Sequence, residues 1–261
     1  MSKYSSKKLF VFDLDGTLTK SKDYLQDDMC EQLRMLIDRH EVSVISGCGY
    51  KQMYEQFLVP FKEKLKCFDF FDIRMMKLSL LPMSGSSMYL WNRHDRIFES
   101  KYRDDLSLRE KAKILAAFDH AISKLEIKLP KSFGTVEEDR GSQITFSLLG
   151  QEAPLAKKAQ FDSTFYKRKQ IQGVMESFLP EFSVKIGGTT SIDVTRKGVD
   201  KAYGIERLMK HAKHKKKDLL FIGDAIFPGG NDWSVKEAGI ESISVIHVNE
   251  TLEFIRSIND K

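Results

Sequence analysis

The stretch Lys8-Leu9-Phe10-Val11-Phe12-Asp13-Leu14-Asp15-Gly16-Thr17-Leu18-Thr19 runs from apolar residues into two carboxylates and then turns at a glycine. An apolar run of this length, closed by a charge and a Gly, suits a parallel strand covered on both faces by helices; periodicity alone also admits a short buried helix. In open α/β sheets ligands gather beyond the carboxyl ends of the strands, which is where Asp13 falls. Two aspartates at i and i+2 suit that place. Asp13 can act as a nucleophile and metal ligand, and Asp15, further round the turn, can pass a proton to a leaving group or take one from an attacking hydroxyl. A bare D-x-D is common in turns; the apolar strand before it and Gly-Thr-Leu-Thr behind it make this one a candidate for catalysis.

Outward from this strand, residues 24–40 carry Leu25, Met29, Leu33, Leu36 and Ile37 at helical spacing, the pattern of an amphipathic helix packed on a sheet. Residues 41–45 are a second β-branched run, ending at Ser46-Gly47. Strand, helix, strand in this order implies a parallel crossover that brings Ser46 to the same sheet edge as Asp13. A Ser-Gly pair often marks only a turn; as a functional element it offers a hydroxyl and a backbone N–H to a phosphate oxygen. A helix over residues 50–64, with Pro60 late in it, and an aromatic strand over residues 68–73 are expected next.

From about residue 84 the texture changes. Residues 88–91 and 97–99 flank the polar turn Asn92-Arg93-His94-Asp95, a hairpin pattern. Ser107-Leu108-Arg109-Glu110 is a capping box opening a helix whose expected stripe is Leu108, Leu115, Phe118, Ile122 and Leu125. Strands over 135–140 and 143–149, a helix over 165–178, and strands over 182–186 and 191–195 separated by Gly187-Gly188 complete an α+β insert. The expected fold is thus α/β, a doubly wound parallel sheet over residues 1–83 and 197–261 interrupted by an antiparallel α+β domain over 84–196.

Composition narrows the function. Three cysteines without a C-x-x-C spacing argue against a disulfide framework or a thiolate zinc site and favour a reducing cytoplasm. The net charge of +5 is concentrated in residues 210–217, at an expected helix end where cations complement the dipole, so nucleic acid is not an expected partner. The apolar run after the basic residues 1–8 is too short for a signal peptide, and no run approaches the ~20 residues of a membrane span.

A second acidic cluster, Gly223-Asp224-Ala225-Ile226-Phe227-Pro228-Gly229-Gly230-Asn231-Asp232, follows the apolar strand of residues 219–222. Hard oxygen ligands without a nearby Cys or His pattern favour Mg²⁺. Taken in order, Asp13-Leu14-Asp15-Gly16-Thr17, Ser46-Gly47, Lys201, and Gly223-Asp224 with Asn231-Asp232 resemble the four motifs of the haloacid dehalogenase superfamily of phosphoryl-transfer enzymes. The insert resembles the α/β cap of its sugar-phosphate phosphatase branch. Within that branch Lys128-Leu129-Pro130-Lys131, Gly134-Thr135, Ile186-Gly187-Gly188, Ser191 with Asp193-Val194, Gly198 with Asp200-Lys201, and Pro228-Gly229-Gly230-Asn231-Asp232 are similar to eukaryotic-type phosphomannomutases.

The resemblance implies that Asp13 attacks phosphorus to form an aspartyl phosphate, and that its other oxygen, the Asp15 carbonyl and Asp224 hold Mg²⁺, with Asp232 orienting the metal shell. Ser46, Gly47 and Lys201 would bind the remaining phosphate oxygens. Arg140, Ser191 and Asp193 match sugar-phosphate-binding positions, and Lys22 stands near a family Arg. The chain departs from the mutase pattern at Gln151, where the family has Arg; a neutral amide cannot supply a bidentate, charge-assisted contact to a distal phosphate. The expectation drawn from that departure is a Mg²⁺-dependent sugar-phosphate phosphatase, with a phosphomannomutase as the alternative and an inactive binding protein third. Its partner would be a small phosphorylated sugar, and a homodimer through the cap is left open.

Overall fold

Strand β1 (Leu9–Asp13) is buried along its whole length, and its side chains divide by parity between two cores. Phe10 and Phe12 pack in one apolar cluster and Leu9 and Val11 in another, the alternation of a strand covered on both faces. Each such side chain, fully buried, contributes about 1.5–3 kcal/mol. The computed structural model describes residues 3–187 and 189–260.

Helix α1 (Asp27–Arg39) buries Met29, Cys30, Leu33, Leu36 and Ile37 against the first of those faces. Strand β2 (Glu41–Ile45) then returns parallel to β1, with Ile45 beside Asp13. The single helix expected next is broken into α2 (Tyr50–Met53), a π-helical turn over Tyr54–Leu58, and α3 (Val59–Lys66) with Pro60 in its first turn. Proline has no N–H for the carbonyl four residues back and its ring crowds that carbonyl, so the ladder widens just before it. Residues 68–73, expected as a strand, are a turn leading into α4 (Phe71–Met76); the strand comes later, as β3 (Leu78–Leu81), beside β2. The aromatic run has no period-two alternation, and Phe70 takes a left-handed conformation (φ 61°) that ends any extended stretch.

Strands β4 (Ser87–Asn92) and β5 (Ile97–Arg103) form the expected hairpin, but the hairpin pairs antiparallel with β3, and its Trp91 and Phe98 lie in the same core as Phe10. The chain divides into one unit of residues 1–103 and 199–261 and a second of 104–198. The insert therefore begins at 104 rather than 84, and the chain re-enters the first unit after 198 rather than 196. A hairpin pattern reveals that two strands pair with each other, not which sheet they join.

In the second unit, α5 (Leu108–Lys124) opens on the expected capping box, Ser107 Oγ accepting from the Glu110 N–H at 3.3 Å and the Glu110 carboxylate from the Ser107 N–H at 2.7 Å. Its buried stripe is Ile114, Ala117, Phe118 and Ala121; Leu108, in the first turn, is 85% exposed and not part of it. Strands β6 (Glu137–Asp139) and β7 (Gln143–Ser147), helices α6 (Leu155–Phe161) and α7 (Tyr166–Phe178), and strands β8 (Phe182–Gly187) and β9 (Ser191–Arg196) follow. The sheet is antiparallel in the order β6-β7-β9-β8, and one core joins it to α5 and α7. Gly188, in the expected Gly187-Gly188 turn, lies outside the described residues.

The ends of this unit are tied by Arg196, which forks onto both oxygens of Glu110 at 2.7 Å and donates to the carbonyls of Asp104 and Asp105. That guanidinium, with the Ser107 hydroxyl and N–H, pulls the Glu110 carboxyl from 4.5 down to about 2. A depressed folded-state value means that the contribution is present above the unfolded value and fades as pH falls from about 4.5 to about 2. Thermal unfolding across that range should show the wild type more stable than Glu110→Gln at neutral pH, with the two curves converging near the acid end. A gap independent of pH would contradict the assignment.

The chain re-enters the first unit through α8 (Lys201–Ala212), β10 (Leu219–Gly223), α9 (Trp233–Glu237), β11 (Ser242–Ser244) and α10 (Val248–Asn259). The seven strands run in the order β11-β10-β1-β2-β3-β4-β5; the pairs from β11 to β3 are parallel, and β4 pairs antiparallel with both β3 and β5. Apolar residues of α1 and α10 share the Phe10 core, and those of α8 and α9 the Leu9 core. Because β10 and β2 flank β1, the ends of all three strands meet at one sheet edge. Among the described residues no helix is long and apolar enough to cross a membrane.

Candidate active site

The carboxyl end of β1 carries Asp13 into a buried cluster with Lys201, Asp224 and Asp232. Lys201 is the first residue of α8, held there by Asp200, whose carboxylate accepts from the Tyr203 N–H at 3.0 Å as the N-cap. Its side chain is 1% exposed, and Nζ donates to Asp13 Oδ1 and Asp232 Oδ1, both at 2.5 Å. Asp232, fully buried at the start of α9, is fixed through its second oxygen by the Ala225 N–H at 3.1 Å. Two glycines make room for these carboxylates. A Cβ on Gly223 would lie 2.3 Å from Asp232 Oδ2, and one on Gly16 2.3 Å from Asp224 Oδ2, at a left-handed φ of +84°.

Oxygens of Asp13, Asp224 and Asp232 lie within 4.8 Å of one another. Burial pushes the Asp13 carboxyl up to about 7, against the attraction of the Lys201 ammonium, while Asp232 and Asp224 push in the same direction as burial. Asp224 is likewise raised, by burial first and by Asp232 next. Burial draws the Lys201 ammonium down, but Asp13 and Asp232 outweigh it and hold its pKa above the ordinary lysine value. Three carboxylates thus face one ammonium, and the surplus negative charge suits a hard divalent cation held by carboxylate oxygens. Among the divalent ions of this kind, an all-carboxylate donor set with no Cys or His fits Mg²⁺.

The Asp15 carboxylate is not one of the three that converge on this point. Its Oδ1 accepts from the Lys22 N–H at 2.7 Å and from Gln56 Nε2 at 3.0 Å. Of the expected metal residues, then, the side chains of Asp13, Asp224 and Asp232 converge, and Asp15 has only its main chain beside Gly16 to offer. Lys22 meets Asp15 through its backbone; its side chain is exposed. Ser46, buried just after β2, accepts from the Cys48 N–H at 3.1 Å, and its carbonyl accepts from Ser84 N, so Gly47 sits in a closed turn.

The second unit gathers another set. Asp193 on β9 is opposite Thr145 on β7, whose hydroxyl donates to Asp193 Oδ1 at 2.7 Å and accepts from Gln143 Nε2 at 2.7 Å. Burial pushes the Asp193 carboxyl up, opposed by the Thr145 hydrogen bond and the Arg140 charge. Arg140 pairs with Glu138 at 2.6 Å, and Ser191 opens β9 opposite Ser147 and Gly187. Gln151 is anchored by its backbone, N–H to the Thr135 carbonyl and carbonyl to Lys158 Nζ, while its buried Nε2 has no hydrogen-bond partner among the described residues. A buried donor left so costs about 1–3 kcal/mol.

Gln56, Gln143 and Thr145 are absent from the residues expected from sequence. For Thr145 and Gln143 a signal exists, as polar residues on one face of a strand that should be buried. For Gln56 there is none, since Glu55-Gln56 reads as the solvent face of a regular helix.

The family model of eukaryotic phosphomannomutase matches residues 29–259. Phosphomannomutase 1 of Homo sapiens is 26% identical over 256 residues, which cover 96% of this chain and 91% of that protein. Among solved structures, the IMP-nucleotidase of Plasmodium falciparum superposes with a TM-score of 0.73 at 14% identity, over 99% of this chain and 70% of that one. A haloacid dehalogenase-like hydrolase from Bacteroides thetaiotaomicron does so with a TM-score of 0.59 at 16% identity, over 97% and 99%. At these identities the structural matches establish a shared fold.

Proposed function

We propose, since this chain belongs to the eukaryotic phosphomannomutase family, that it moves a phosphoryl group between the C1 and C6 oxygens of a mannose phosphate. The transfer would pass through an aspartyl phosphate and a hexose bisphosphate. The observation that carries this reading is the family match itself, which extends across both units of the chain. It reverses the order of the two enzymatic expectations drawn from sequence, in which hydrolysis leads.

The geometry supports the chemistry. Lys201 engages Asp13 Oδ1, which leaves Oδ2 to attack phosphorus. The ammonium also counters the charge of the incoming phosphate. Asp13, Asp224 and Asp232, with the Asp15 carbonyl, would hold Mg²⁺, which when bound neutralises charge on the transferring group. Ser46 and the Gly47 N–H would bind phosphate oxygens. Asp15 would pass its proton to the departing sugar oxygen and recover one from the hydroxyl that attacks next. Arg140, Ser191 and Asp193 would bind the rest of the sugar phosphate, and the unpartnered Gln151 amide offers one neutral donor where a guanidinium would give a charged pair.

That neutral donor favours a second reading, hydrolysis, because a mutase must hold its bisphosphate firmly while the sugar reverses. A coupled assay separates the two. With Mg²⁺ and a hexose 1,6-bisphosphate activator, mannose 1-phosphate should yield mannose 6-phosphate faster than free phosphate; EDTA should stop the reaction and Mg²⁺ restore it. Free phosphate as the main product would make hydrolysis the function, and restoration by Zn²⁺ alone would overturn the ligand assignment.

A further inference from the structure

We infer that Gln56 positions Asp15 for proton transfer, an inference that rests on the phosphoryl-transfer reading above. Gln56 is a buried polar side chain on the π-helical turn Tyr54–Leu58. Its Nε2 donates to Asp15 Oδ1 at 3.0 Å and to Thr19 Oγ1 at 3.1 Å, while its Oε1 accepts from Gln52 Nε2 at 3.0 Å. Asp15 Oδ1 also accepts from the Lys22 N–H, so the NH₂ end of the Gln56 amide is the end that faces it.

The backbone of the same residue holds the same loop. Pro60 lies four residues on and has no N–H for the Gln56 carbonyl. That carbonyl instead accepts from the Leu25 N–H at 2.9 Å. One residue thus clamps the segment from Asp15 to Leu25 at both ends, through its side chain and through its main chain. A regular helix would have kept the carbonyl in its own ladder, and π-helical turns recur at functional sites for this kind of reason.

The contacts also select an oxygen. Gln56 Nε2 and the Lys22 N–H both donate to Oδ1, which leaves Oδ2 to carry the proton. In the first half-reaction an Asp13 oxygen bonds to phosphorus as the bond from phosphorus to the sugar oxygen breaks, and the Oδ2 proton passes to that oxygen. In the second half-reaction an attacking hydroxyl gives its proton back to Oδ2 as its oxygen bonds to phosphorus and the Asp13 bond breaks. With Oδ1 pinned by two donors, the carboxyl cannot rotate away between the halves.

A test compares two esters by kcat/KM, which reports steps up to loss of the leaving group. A hexose phosphate leaves as an alkoxide and needs the proton; p-nitrophenyl phosphate leaves as a stabilised phenolate and does not. Gln56→Met keeps the volume and removes the donor. It should lower kcat/KM about 100-fold for the hexose phosphate and less than about threefold for p-nitrophenyl phosphate, in keeping with loss of positioned acid catalysis. Gln56→Glu, which keeps the shape and sets a like charge against Asp15, should show the same split and serves if the first variant does not fold. Equal losses on both esters would mean a merely structural role, and no loss on either would mean no role; each overturns the inference. A wild type inactive on both esters would instead overturn the phosphoryl-transfer reading itself, and the inference with it.

Discussion

Asp13→Asn should abolish turnover, by on the order of 10⁴-fold or more, while the protein stays folded. The amide keeps the shape of the carboxylate but cannot attack phosphorus. Fold should survive for an electrostatic reason. Asp13 is one of three carboxylates around a single ammonium, and burial and the other two carboxylates already disfavour its charge. Losing that charge still leaves Lys201 paired with Asp232 at 2.5 Å. Thermal unfolding in EDTA should therefore give a midpoint at or above that of the wild type, and turnover under saturating Mg²⁺ should be at background. A variant that keeps a sizeable fraction of wild-type turnover would remove Asp13 from the role of nucleophile.

Lys201→Met should damage both activity and stability. Its ammonium is the cation that the buried Asp13 and Asp232 contact directly. Removing one partner of a buried ion pair strands the charge of the other, a change that costs about 3–5 kcal/mol. Methionine fills much of the lysine volume, so the loss would come from charge rather than from a cavity. The effect should be read by urea unfolding in metal-free buffer and again with Mg²⁺, which should recover part of it by supplying positive charge to the same carboxylates. A loss below about 1 kcal/mol in metal-free buffer, the scale of an exposed pair, would contradict the burial argument.

Much of this site is legible in the amino-acid sequence because its residues lie in short local motifs at strand ends. Asp13 follows an apolar run, Asp224 follows another, and the crossover rule brings both to one sheet edge together with Ser46. Lys201 is different. Its approach to Asp13 spans much of the chain, and only the family resemblance, not its sequence neighbours, points to it. The fold is less legible where pairing is non-local. The β4–β5 hairpin carries no mark of which sheet it joins, and its pairing with β3 and the packing of Trp91 and Phe98 in the Phe10 core assign it to the first unit. Strand β3 is four residues long and follows a run of aromatics that competes for the same assignment. Gln56 is hidden in the sequence because the π-helical turn that buries it arises from Pro60, which by pattern reads only as a feature late in a regular helix. At Gln151 the sequence shows a missing charge, whereas the burial of its amide and the lack of a partner for it depend on how the surrounding loop packs.

In a mutase the phosphoryl group on Asp13 should be handed to a second sugar rather than to water. The most direct measurement phosphorylates the protein with radiolabelled hexose 1,6-bisphosphate, removes the excess, and mixes the labelled protein with unlabelled mannose 6-phosphate in Mg²⁺. The label is then counted in bisphosphate and in inorganic phosphate over time. Label should appear first and mainly in the bisphosphate, with mannose 6-phosphate accelerating its departure from the protein. Label leaving as inorganic phosphate at one rate, whether or not mannose 6-phosphate is present, would contradict the mutase reading.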